Sequence, residues 1–131
     1  MISFSTDRST GVRAALYTGV VDDPEMLQAY GALLAEPDYD PALDDLVDLR
    51  GVSRFEVSTE GLRRIISMYT PVDRLGLPTA LAIVAASDLT YGMSRMYEMM
   101  RGDDVPEEIR VFHSHDEAMR WLAGRRRRRA G

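Results

Sequence analysis

Hydrophobic residues follow two rhythms along this chain. Short, nearly continuous apolar runs alternate with segments in which apolar residues return every three or four positions. The runs "MISF" and "VRAALYTGVV" predict two strands, and the turn-rich "STDRSTG" between them predicts a hairpin. In "DDPEMLQAYGALLAE", Met26, Leu27, Tyr30, Leu33 and Leu34 share one face of a helix, with Asp23 expected as its N-cap and Pro24 at the first helical position. Pro37 and Pro41 close that segment. "LVDL", Leu46 to Leu49, is short and apolar and predicts a buried strand. Helical spacing resumes from Ser58 to Tyr69 through Leu62, Ile65, Ile66 and Tyr69.

"TALAIVAA", Thr79 to Ala86, is apolar at nearly every position, as a parallel strand covered on both faces should be. "SDLTYGMSRMYEMMRG" predicts a helix capped by Ser87 or Asp88 and ended at Gly102. A strand, "EIRVFHS", and a helix, "SHDEAMRWLAG", follow, and Ser114 and Glu117 have the spacing of a capping box. After the hairpin each strand is followed by a helix, which implies right-handed crossovers. The expected fold is a single α/β domain: a mostly parallel sheet of about five strands, an antiparallel N-terminal edge hairpin and four helices.

Composition narrows this picture. A chain of 131 residues, 45% of them hydrophobic, is long enough to bury one real core. It contains no cysteine, which excludes disulfides, thiolate metal sites and a cysteine nucleophile. The first residues lack a signal peptide's basic start and apolar run, and no later segment has the apolar length of a membrane span, so a cytoplasmic protein is expected. All 16 basic residues are arginine, and five form the run Arg125 to Arg129. The first 124 residues therefore carry 11 arginines against 21 acids, a net charge of −10. An acidic body argues against a nucleic-acid-binding face. The arginine run, residues 125 to 131, is expected to be a disordered, solvated tail, with weak contact to RNA or to an acidic neighbour as the other reading.

The strand "LVDLRGV", the helix start "VSTEGLRRI", the strand "ALAIVA" and the ending "VFHSHDEAMRWL" together resemble the STAS fold, in its bacterial branch of small standalone, anti-anti-sigma-like proteins. That branch is itself compared with the lipid-carrying CRAL-TRIO domains. Phe112, Glu117, Ala118, Trp121 and Leu122 fill the places of the branch's own ending, and the likeness spans residues 12 to 122. In anti-anti-sigma proteins a serine at the start of the helix after this strand is phosphorylated by a partner kinase. The resemblance makes Ser58 and Thr59 the corresponding phosphoacceptor or partner site, followed by Gly61 and Leu62. Two departures stand out: Val57 replaces an acidic residue, and Glu60 intervenes before the glycine. Glu60 already supplies the negative charge that a helix N-terminus favours and would repel a phosphoryl group. The local chemistry therefore reads as a helix cap first and a switch second.

Open parallel sheets bind ligands beyond the carboxyl ends of their strands. That edge should gather Asp48, Arg50, Ser58, Thr59, Ser87, Asp88 and His113 to Asp116 as a candidate ligand edge, although loops at strand ends are polar in any case. His113 and His115, the only histidines, alternate along a strand, but no third ligand is spaced to complete a zinc site. No nucleophile elbow, phosphate loop or spaced carboxylate pair is present, so neither an enzyme nor a cofactor is expected.

On the helix "TYGMSRMYEMM", Tyr91, Met93, Met96, Tyr97, Met99 and Met100 form a soft apolar surface. Most of it suits a core-facing stripe, and the remainder suits a homodimer contact or an apolar ligand. Two functions follow. One is a non-enzymatic interaction or regulatory module with no enclosed cavity, acting on a protein partner. The other is a small-molecule or lipid carrier with a pocket of several hundred cubic ångströms, lined by this helix with Leu62, Ile65 and Ile66.

Overall fold

In the computed structural model, which describes all 131 residues, ten elements form one α/β domain. Strand β1 (Ile2–Asp7) and β2 (Val12–Asp22) make the expected antiparallel hairpin, in register from Ile2 opposite Tyr17 to Asp7 opposite Val12. Helix α1 (Asp23–Leu34), β3 (Asp44–Glu56), α2 (Thr59–Met68), the one-turn helix α3 (Thr70–Asp73), β4 (Thr79–Val84), α4 (Asp88–Arg101), β5 (Glu107–Phe112) and α5 (His115–Ala130) follow. The sheet order is β1-β2-β3-β4-β5, with every pairing after the hairpin parallel. Helix α3, with Pro71 in its first turn, is an addition to the four helices expected.

Strand order decides how the helices are layered. From β2 to β5 the sheet grows in one direction, so right-handed crossovers all fall on the same face. Helices α1, α2 and α4 accordingly cover one side, where the larger core cluster includes Tyr17, Val21, Met26, Tyr30, Leu62 and Ile83. Only α5 covers the other side, closing a smaller cluster of Val12, Leu46, Ala80, Ala82, Val84, Ala118 and Leu122.

Strand β4 serves both clusters by alternation. Leu81 and Ile83 point to the three-helix face, while Ala80, Ala82 and Val84 point to α5. The small residues let α5 approach closely, and Ala118 and Leu122 are almost fully buried there.

Two elements are longer than their local pattern predicts. Strand β3 runs through Glu56 because β2 continues beside it, pairing Thr18 with Gly51 and Asp22 with Glu56 across two register shifts. Beyond Asp48, β3 has no partner in β4, so the residues "RGVSRFE" belong to a two-stranded extension and are largely exposed. Helix α5 continues through the arginine run, so the expected disordered tail is corrected to helix. Its arginines have partners on the body: Arg125 pairs with Glu108, the Arg126 guanidinium donates to the Ser9 carbonyl at 2.8 Å, and Arg129 donates to Asp44. No helix is long and apolar enough to cross a membrane.

Candidate functional site

The residues expected along the carboxyl edge fall into two groups. Asp48 lies level with Val84 and Phe112, at the ends of β4 and β5. There the Arg50 guanidinium donates to both Asp48 oxygens, at 3.0 and 2.8 Å, and the Arg50 backbone N–H donates to one of them. Burial raises the Asp48 pKa, but the hydrogen bonds and charge of Arg50 outweigh it and hold the carboxyl below its ordinary value. Ser87 caps α4 in a reciprocal capping box with Thr90, leaving Asp88 in the first turn. His113 stacks on Tyr91 at 4.3 Å between centroids, its Nδ1 3.2 Å from the Ala85 carbonyl. His115 opens α5 beside Asp116, and Ser114 is the cap. No three His, Cys, Asp or Glu side chains are grouped to hold a metal ion.

Ser58 and Thr59 sit elsewhere, because the β2–β3 extension runs on to Glu56 and carries them beyond the edge at which Asp48 lies. Ser58 is the N-cap of α2, and its hydroxyl accepts from the Gly61 N–H at 3.0 Å. The same hydroxyl donates to Asp23, whose other oxygen accepts from the Ser58 N–H at 2.8 Å. Asp23 was expected to cap α1; Asp22 does so instead, accepting from the Glu25 N–H at 3.0 Å, which frees Asp23 to grip the neighbouring helix start. Gly61 is required here, since a Cβ would lie 2.1 Å from an Asp23 oxygen. A phosphoryl group on Ser58 would face the Asp23 carboxylate directly.

The most unusual chemistry lies at the opposite, amino edge of the strands. Arg13 on β2, 4% exposed, donates from Nε and Nη2 to the two oxygens of Asp45 on β3, at 2.8 and 3.1 Å. It also donates to the Asp40 carbonyl and stacks over the Tyr39 ring at 4.6 Å. Arg101, at the end of α4, donates from both terminal nitrogens to Asp73 on α3, at 2.8 and 3.0 Å, and again from Nη2 to Glu107 on β5 at 3.2 Å.

Electrostatics in this cluster follow from burial and from the division of charge. Burial works against both guanidinium charges, yet Asp45 holds Arg13 protonated and Asp73 holds Arg101 protonated. Burial raises Asp45 as well, with Arg13 opposing it. Glu107 is pushed up to about 7, first by burial and then by the Asp45 charge, because Arg101 is already committed to Asp73. Burial also keeps Tyr17, Tyr30, Tyr69 and Tyr97 neutral.

A cavity of about 80 Å³ opens from this cluster into the space between the sheet and helices α1, α2 and α4. Fourteen of its 17 lining residues are hydrophobic, among them Leu62, Ile65, Met93 and Tyr97; Ile66 does not reach it. Its charged groups are Asp45 and Glu107. A smaller outer pocket, lined by Tyr39, Thr79 and Pro106, shares Asp45, Tyr69 and Glu107 with it. Those three residues therefore form the partition between an apolar interior and a polar mouth.

The α4 surface divides unexpectedly. Met93, Met96, Tyr97 and Met100 are half-buried against the core, but Met99 is 71% exposed and Leu89 is 60% exposed. The fully buried positions of this helix are Thr90, Ser94 and Arg101.

One antiparallel hairpin, three parallel pairings and the longer helices divided three to one across the sheet define this chain as having a SpoIIAA-like, or STAS-like, fold. The chain is similar to the crystal structure of an uncharacterised DUF3478-family protein with a SpoIIAA-like fold from Shewanella loihica PV-4. The TM-score is 0.57 with 16% sequence identity, over 93% of this chain and 92% of that one. No family model matches the sequence, and no curated protein matches it.

Proposed function

We propose that this chain is a non-enzymatic interaction module that works through protein contacts made by α4, beginning with a second copy of itself. The observation that carries this reading is the inverted burial of α4. Thr90, Ser94 and Arg101 are turned inward while Leu89 and Met99 are left to solvent. Leu89, Gly92 and Met99 are exposed and, with the half-buried Met96, follow the spacing of one helical face, a stripe that a partner helix fits. Two of the inward polar groups are satisfied within the helix and its cap, since the Ser94 hydroxyl donates to the Thr90 carbonyl at 2.7 Å and the Thr90 hydroxyl donates to the Ser87 carbonyl at 3.2 Å. Methionine suits the outward role because its side chain adapts to varied apolar surfaces.

Light scattering across a concentration series tests this. The wild-type chain should have the mass of a dimer, and the double substitution Leu89→Glu with Met99→Glu should reduce it to a monomer with an unchanged far-ultraviolet circular dichroism spectrum. A wild-type monomer at every concentration, or an unaltered dimer in the double variant, would overturn the reading.

A second reading, a small-molecule carrier, is supported by the apolar cavity. Its volume of about 80 Å³ is well below the roughly 300 Å³ at which drug-sized ligand sites begin. An acyl chain does not fit, so a carried molecule would have to be small.

A further inference from the structure

We propose that the cavity beneath α1, α2 and α4 is a binding site for a small primary alkylammonium ion, with the alkyl group inside and the ammonium at the partition formed by Glu107, Asp45 and Tyr69. This inference stands apart from the α4 contact. It begins with the shape of the space. The interior is apolar, and its two carboxylates both stand in the partition to the polar mouth. A molecule filling it needs an apolar body and one polar end. At about 80 Å³, roughly half the volume of an apolar cavity that admits benzene, it has room for about four heavy atoms.

The charge of the polar end follows from counting partners. Three carboxylates, Asp45, Asp73 and Glu107, meet two guanidinium groups. Arg13 spends two donors on Asp45, and Arg101 spends two on Asp73. Glu107 receives a single bond, at 3.2 Å, from a nitrogen that Asp73 already shares. One positive charge is therefore missing from a nearly buried cluster. Glu107 meets that deficit by holding a proton up to about pH 7, and a cation would meet it by replacing the proton.

Tyr69 adds an independent observation. It is 9% exposed and lines both spaces, and its hydroxyl is not among the groups that Arg13 and Arg101 bind, so it is free to accept from a ligand at the partition. An ammonium offers three donors, which matches a carboxylate oxygen on either side and this hydroxyl. An anion would meet two carboxylates, and a neutral alcohol would leave the charge uncompensated.

The test is a nuclear magnetic resonance titration of the full chain at about pH 8, with n-propylammonium chloride, 1-propanol and sodium propionate as the three probes. Propylammonium should produce saturable shifts at Leu81, Ile83 and Ile65, and propionate should produce none. Glu107→Gln, which keeps the shape and removes the charge, should weaken the binding roughly tenfold or more. Ala15→Ile, which fills the cavity from its wall, should abolish the saturable shifts. Propanol binding as tightly as propylammonium, unchanged affinity in Glu107→Gln, or shifts confined to exposed acids would each overturn the proposal. If Ala15→Ile fails to fold, the charge variant and the three probes still decide the outcome.

Discussion

Replacing Glu107 with glutamine should stabilise the fold at about pH 8 and leave it nearly unchanged at pH 4.5. The side chain is only 12% exposed, and its sole cationic partner, Arg101, is held by two bonds to Asp73. Burial and the neighbouring Asp45 raise its pKa from 4.5 to about 7. Between those values the folded chain holds a proton that the unfolded chain has lost, so wild-type stability falls as pH rises through this window. A rise from 4.5 to about 7 corresponds to a penalty on the order of 3 kcal/mol for the ionised form, complete above the folded-state pKa. Glutamine has no proton to lose and fills the same volume. Urea denaturation followed by circular dichroism, in matched buffers from about pH 5 to 8.5, reads the difference directly. The variant's advantage should grow across the window and level off at about 2–3 kcal/mol. A variant less stable than wild type at pH 8, or a difference that does not change with pH, would show that Arg101 compensates Glu107 fully and would refute the argument.

Two further outcomes follow from the α5 and α2 contacts. Arg129→Ala should lower stability by roughly 1–3 kcal/mol in the same assay, because Asp44 is 2% exposed and would keep only the hydrogen bond from the Ala80 N–H. An unchanged midpoint would mean that Arg129 does not hold that carboxylate in solution. Ser58→Ala should cost about 1 kcal/mol as a lost cap, and Ser58→Glu should cost more because it sets a second carboxylate against Asp23. A glutamate variant as stable as wild type would instead favour a Ser58 that tolerates a phosphoryl group.

Strand and helix order was legible because each core element is periodic over its own length. "TALAIVAA" reads as buried from composition alone, and the Ser87 and Ser114 caps follow from neighbouring residues. The remainder depended on partners distant in the chain. "RGVSRFE" carries no strand rhythm, because its pairing with β2 leaves most of it exposed. The arginine run resembles a tail until Glu108, Ser9 and Asp44 are brought against it by the fold. The amino-edge cluster joins residues from position 13 to position 107, and single arginines carry little signal in a chain whose basic residues are all arginine. One local sign was present: Arg13 and Asp45 interrupt apolar strands, and a charge at a core-facing strand position requires an opposite charge nearby. The usual rule for open parallel sheets directed attention to the carboxyl edge, whereas the buried charges and the cavity mouth lie at the amino edge.

The single-sided winding of the sheet has a consequence for synthesis. Helices α1, α2 and α4 each lie between strands they cover, so the three-helix face is completed progressively as the chain emerges. The opposite face waits for one late segment: Val12, Leu46, Ala80, Ala82 and Val84 have no cover until α5 is made. A nascent chain halted at β5 would present a bare apolar sheet surface with an unsealed Asp44 at its rim, the kind of surface that chaperones retain and that aggregation exploits. One helix thus seals a face that every earlier element leaves open.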